Sequence, residues 1–199
     1  MLRKTSAPFL CAFLFAAALP SYAALIKVAP SIQSVSAGST FSVAIDISGL
    51  SSDTAFGAYD VTLAFNSSVL SFTQAVFGDP ILGDQFDLAQ RGLNFPLATI
   101  GNGNVNLIEF SFDDSATLNF RQASSFTLAT LSLTTLETGT SPLSLIVNRL
   151  SDRDGKAITA FSTQNSSATV VGVSLPAAVW LMLTGCVGML FVHRQRRFR

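Results

Sequence analysis

The chain has 199 residues, 49% of them hydrophobic, with twelve basic and twelve acidic side chains that give a formal net charge of +0. The balance hides a division: residues 24–172 hold six basic and all twelve acidic residues, a formal charge of −6, and contain no His, Cys, Trp or Met. An acidic stretch does not follow a phosphate backbone, so nucleic acid is not expected as a partner; Cys–His nucleophiles, Ser-His-Asp triads and zinc sites built on His or Cys are excluded too.

In chain order, Arg3 and Lys4 precede an apolar run from Phe9 to Leu19, and Ser21-Tyr22-Ala23 follows it as a small-x-small site. That three-part layout is a secretory signal peptide over residues 1–23, with cleavage expected between Ala23 and Ala24. Cys11 lies too early for a lipid-modified cysteine and lacks the Leu-Ala-Gly context.

Residues 24–172 then alternate with a period of two. The inward sets are Phe41, Val43, Ile45 and Ile47 in FSVAIDI, and Tyr59, Val61, Leu63 and Phe65 in AYDVTLAF. They continue as Ile108, Phe110 and Phe112 in NLIEFSF, Ala129, Leu131 and Leu133 in LATLSLTT, and Leu143, Leu145 and Val147 in LSLIVN. Further strands are expected at Ile26–Ala29, Leu70–Val76 and Ala168–Val171. Half-buried strands divided by Gly, Asn, Asp and Ser turns predict an all-β sandwich of jelly-roll type with about eight or nine strands. No stretch between Ala24 and Gly172 shows a helical period.

Two loops carry clustered carboxylates. VFGDPILGDQFDLAQRGLNFP, residues 76–96, holds Asp79, Asp84 and Asp87, and SDRDGKAI, residues 151–158, holds Asp152 and Asp154. Asp154-Gly155 between apolar segments signals a tight hairpin. SDRDG opens like a calcium loop, but Thr163 stands where an EF-hand starting at Asp152 needs its twelfth-position Glu. Calcium is the one cofactor either loop could attract, and neither supplies a complete ligand set, so the domain is expected to fold without it. Glu109 with Asp113-Asp114 is the carboxylate set that a glycoside hydrolase would need, although neighbouring aspartates point apart and turns favour Asp in any case. Phe56, Phe77, Phe86 and Phe95 fall in or near loops; Phe77, Phe86 and Phe95 are candidates for an apolar binding patch, against the alternative that they cap the sandwich ends.

The chain closes with VSLPAAVWLMLTGCVGMLFVHRQRRFR, residues 173–199. Leu175 to Val192 is uncharged over eighteen residues, roughly 27 Å as a helix and close to the ~30 Å hydrocarbon core. Arg194, Arg196, Arg197 and Arg199, in the basic tail 193–199, are expected to stay on the cytoplasmic side and leave residues 24–172 outside.

Two resemblances follow. Val173-Ser174-Leu175-Pro176-Ala177, the apolar helix and the arginines resemble the PEP-CTERM sorting signal of Gram-negative bacteria in its Val-Pro-Leu-Pro-Ala variant, with Ser174 in place of the first proline. The resemblance implies processing by an exosortase near the motif at 173–176, after a transient stay in the inner membrane. VSAGSTFSVAIDISGL, FGAYDVTLAFNSSVL and FTLATLSLTTL are similar to cohesin-like domains, sandwiches of the carbohydrate-binding-module type. Together they imply an exported, surface-sorted, non-enzymatic binding or adhesion protein of the extracellular polysaccharide matrix, with a polysaccharide or a surface protein as ligand. The rivals are a cohesin proper, which would bind a dockerin-bearing partner, and a carboxylate-dependent hydrolase.

If the tail is an address, the matrix-associated protein from its native host lacks Trp180 and the terminal arginines, which intact mass spectrometry reads directly. Pro176→Ala is expected to leave membrane insertion intact and slow processing, because the helix can then extend through the motif.

Overall fold

Alternating side chains on two strands face one another only if the strands belong to two stacked layers, and that is how the chain is built. A computed structural model describes residues 24–50 and 55–172. Ala23, residues 173–177 and the arginines of the tail lie outside the described residues. Among those described, no helix is long and apolar enough to cross a membrane.

Eleven strands and one short helix follow in order: β1 (Ala24–Ala29), β2 (Ile32–Ser36), β3 (Thr40–Ser48), β4 (Phe56–Ala64), β5 (Leu70–Phe77), β6 (Leu97–Gly101), β7 (Asn104–Phe110), α1 (Ser115–Arg121), β8 (Ser125–Thr135), β9 (Gly139–Asp152), β10 (Phe161–Gln164) and β11 (Ser166–Val171). One sheet runs β10-β1-β3-β8-β5 and the other β2-β11-β9-β4-β7-β6. Consecutive strands lie in opposite sheets throughout, except β6 and β7. The terminal strands pair in parallel, β1 with β10 in one sheet and β2 with β11 in the other.

The inward sets of β3, β4, β8 and the first half of β9 are those that the alternation predicts. Val43, Ile45, Ile47, Tyr59, Val61, Leu63, Ala129, Leu131, Leu133 and Leu143 are all buried. Phe65 and Val147 are partly buried against the same core. The turn at Asp154-Gly155 forms as expected, with Gly155 at φ 80 and its N–H donating to the Asp152 carbonyl.

Three expectations are corrected. The strand count exceeds eight or nine because β2, β6 and β10 are only four or five residues long and mostly exposed, so little alternation marks them. Residues 115–121 are helical: the Asp114 carboxylate accepts from the Thr117 N–H as N-cap, and only Leu118 is buried. Two turns with one buried residue leave no period to read. Most consequentially, β7 has the opposite face inward. Val105, Leu107 and Glu109 are buried, whereas Ile108 and Phe110 are half-buried and Phe112 is 60% exposed. A shift of one residue exchanges the two faces of a strand.

The segment 78–96 carries no long strand and closes one end of the sandwich. Phe86 enters the core between Phe56 at 5.7 Å, Tyr59 at 5.3 Å and Phe126 at 6.2 Å, all edge-on. Beside it, buried Gln85 accepts from the Ala123 N–H at 3.0 Å, and Gln122 donates to the Gln85 carbonyl at 3.1 Å. Phe86 therefore belongs to no surface patch; its side chain is core. Removing it should leave a cavity that the surrounding β-structure cannot close. Phe86→Ala is expected to cost about 3–5 kcal/mol, measured by denaturant unfolding, whereas Phe95→Ala should cost far less.

Candidate binding face

The outer surface of the sheet formed by β9, β4, β7 and β6 is assembled from residues opposite in parity to the core. Pairing sets Asp60 of β4 between Ile108 of β7 and Arg149 of β9, with Thr62 between Asn106 and Ile146 in the next row. A bulge in β9 between the partners of Asp60 and Val61 leaves Asn148 as an extra residue, and such bulges re-aim a side chain. Asn148 reaches Asp60 as a result.

Asp60 is the centre of this face. One carboxylate oxygen accepts from Asn106 Nδ2 at 2.6 Å and from Asn148 Nδ2 at 2.8 Å. The same two amides donate to Thr62 Oγ1 at 3.1 and 3.0 Å. The carboxylate is held in one orientation while the sheet keeps it at the surface. Apolar groups flank it on both sides. Ile146 is 51% and Leu97 41% exposed, and a shallow depression of ≈ 290 Å³ runs between Ala58, Asp60, Ile108, Phe110 and Arg149. Phe110 continues into an aromatic ridge, stacked on Phe95 at 5.2 Å and edge-on to Phe112 at 4.9 Å. Chemically, the face offers an oriented anion inside an apolar surround. It has no bound nucleophile–base pair.

Beneath the ridge lies a second, buried group of acids. Glu109 is 0% exposed; its Oε2 accepts from the Tyr59 hydroxyl at 2.9 Å and its Oε1 from Asn94 Nδ2 at 2.9 Å. Asn94 Nδ2 also donates to Asp84. Burial, then the charge of Asp84, pushes the Glu109 carboxyl up to about 7 against the opposing pull of the Tyr59 and Asn94 hydrogen bonds. Burial raises Asp84 as well, reinforced by the charge of Asp87, and burial with Glu109 raises Tyr59 well above the ordinary tyrosine value.

The carboxylates singled out in the sequence serve separate turns. Asp79 accepts from the Ile81, Leu82 and Thr127 N–H groups, each at 2.8 Å. Burial alone would raise its carboxyl, but these hydrogen bonds hold it below the usual range. Asp84 accepts from the Phe86 N–H, and Asp87 from those of Arg91 and Gly92. Asp152 accepts from the Asp154 and Lys156 N–H groups, while Asp154 accepts from the Ser115 hydroxyl. Among the described residues no three acids, histidines or cysteines are grouped as metal ligands. Glu109, Asp113 and Asp114 share no cleft: Glu109 faces the core, Asp113 accepts from the Ala89 N–H, and Asp114 caps α1. Of the three candidate phenylalanines, Phe77 ends β5 in the other sheet, Phe86 is buried, and Phe95 alone reaches the outer face. Asp60, Asn106, Asn148 and Ile146 were not singled out in the sequence. The parity signal that would have exposed Phe110 is the start of β7, where Val105 and Leu107 alternate with Asn104 and Asn106.

The fold is that of a cohesin-like β-sandwich. Among solved structures, a chain of a type I cohesin–dockerin complex from Clostridium thermocellum is similar at a TM-score of 0.59 and 12% identity, over 76% of this chain and 96% of that one. The seventh ScaB type I cohesin from Pseudobacteroides cellulosolvens is similar at 0.58 and 15%, over 77% and 96%. The non-cellulosomal cohesin from the archaeon Archaeoglobus fulgidus is similar at 0.54 and 15%, over 75% and 91%. The likeness at these identities is one of fold. No protein-family model matches the chain, and no curated protein matches it in sequence.

Glu109 gives the domain an unusual pH dependence. Its folded-state value is raised above the unfolded one, so the folded state holds the extra proton between about pH 4.5 and 7, and stability falls as pH rises through that window. The loss is up to about 3 kcal/mol. Below that window, protonation of Asp79, whose carboxyl is held low, works in the opposite sense. Melting temperature is therefore expected to peak on the acidic side of neutrality, and Glu109→Gln should flatten its decline toward pH 8.

Proposed function

We propose that residues 24–172 form a non-enzymatic binding domain of the cohesin type, exported and sorted to the cell surface, whose ligand is a protein docked on the outer face of β9, β4, β7 and β6. The observation that carries this reading is the Asp60 cluster. Binding energy concentrates where a few apolar anchors surround a well-placed polar group and exclude water from it. An anion already oriented by Asn106 and Asn148, on a sheet that needs no ordering, loses little entropy on association. Several of the similar structures are cohesins in complex with dockerins, which supports a protein as the ligand. A flat polysaccharide surface is a poorer fit. Residues 24–172 hold no Trp, Tyr59 is buried, and Phe110 meets Phe112 at 72° where a sugar platform would be level.

The placement of this domain follows from the two ends of the chain. A signal peptide over residues 1–23 would export it, and the 173–199 tail would hold it in the inner membrane until an exosortase acts, delivering it to the extracellular matrix. Non-enzymatic action is supported by the separate structural tasks of Glu109, Asp113 and Asp114.

A photocrosslinking residue at Ile146 tests the reading in the native host. It is expected to capture a discrete protein band, while the same residue at Ser42, on the outer face of the other sheet, captures none. Asp60→Ala should weaken the interaction by about tenfold or more without changing the far-UV spectrum. Capture from Ser42 as readily as from Ile146 would sink the assignment of the face.

A further inference from the structure

The binding face ends in a ridge whose outermost ring belongs to the 78–96 segment, and that segment is tied down by an amide shared between two acids. Among the described residues, Glu109 is the only charged side chain in the buried set. The groups that act on it come from two elements: Tyr59 of β4, and Asn94 and Asp84 of the segment. Asp87 acts in turn on Asp84. Asn94 Nδ2 donates to both carboxylates. The next residue is Phe95, whose N–H donates to the Phe110 carbonyl at 3.1 Å and whose ring stacks on Phe110. The amide that senses the acids and the ring that completes the face are thus consecutive.

We propose that Glu109, Asn94 and Asp84 form a proton-operated latch that seats Phe95 on the binding face. With one proton held by the pair, a single negative charge shares the Asn94 amide, and residues 84–95 stay closed over β7. When the proton leaves, two charges face each other across one amide, Glu109 fully buried and Asp84 half-buried, and repel one another more strongly than they would in water. Asn94 can donate one hydrogen to each, but it carries no charge that would offset theirs. The segment loosens, Phe95 leaves Phe110, and the ridge comes apart. Burial places this change near neutral pH. Phe86 remains the hydrophobic anchor throughout, so the opening is local. The consequence for binding, weaker capture on the alkaline side, rests on the function proposed above; the latch itself does not.

Hydrogen–deuterium exchange on the full chain, without any partner, tests the latch independently of that function. After correction for intrinsic rates, peptides spanning 84–95 are expected to lose about tenfold in protection between about pH 5.5 and about pH 8.5 and to exchange well ahead of those of β3 and β8, whose protection follows the global stability. Glu109→Gln should keep the segment protected at both pH values. Asp84→Asn, which preserves an acceptor for the Phe86 N–H, removes one of the two charges and should shrink the change. Wild-type protection that is independent of pH overturns the latch. So does an undiminished pH response in Asp84→Asn or Glu109→Gln.

Discussion

The insertion of Phe86 into the end of the sandwich organises much of what surrounds it. Two stacked sheets leave their ends open, and the inner side chains of β4 and β8 would meet water there. Phe86 closes this end against Phe56, Tyr59 and Phe126. Its position fixes the rest of a nineteen-residue connection between β5 and β6. Asp79 is drawn to the Thr127 N–H, Gln85 to Ala123, and Asn94 to Glu109. A long connection without strands would be mobile if solvated; a buried aromatic and a chain of satisfied polar groups make it part of the fold.

The same closure has an electrostatic price. Glu109 lies under the segment with Tyr59 and Asn94 as its hydrogen-bond partners. These satisfy the carboxylate oxygens without neutralising them, so burial raises its proton affinity instead. On the other side of β7 the arrangement is reversed. Asp60 also receives two amides, but it stands at the surface, where solvent shares the work. Two carboxylates on neighbouring strands, one facing in and one out, thus have different tasks: Glu109 ties the closing segment to the core, and Asp60 gives the outer face its polar centre.

The ends of the sandwich are also distinguished by the chain itself. Val171 bonds to Ala37 at the β2–β3 turn, where Thr135 also bonds to Ser39. The 78–96 segment bonds instead to Leu128 and Thr127, near the opposite end of β3. The described chain therefore leaves its sheet at the end away from the aromatic ridge. The parallel pairing of β11 with β2 and of β10 with β1 ties both terminal stretches into the two sheets.

Period-two alternation was enough to place β3, β4, β8 and the start of β9, because their apolar residues share one parity and their polar residues the other. It identified the sandwich and most of its core. It could not settle β7, where Ile108, Phe110 and Phe112 outweigh Val105, Leu107 and Glu109 in hydrophobicity yet face outward. That parity depends on the pairing of β7 with β4, which brings Glu109 to Tyr59 and Phe110 to the surface. Nor could local pattern show that Phe86 is core while Phe95 is surface, since both are isolated aromatics in one irregular segment. Asp60, Asn106 and Asn148 become a site only when three strands align. Local sequence carries the periodicity of a strand, because side-chain direction is a property of the backbone. Which polar groups meet, and which apolar groups are left exposed, is decided by neighbours distant in the chain, and therefore only by the tertiary structure.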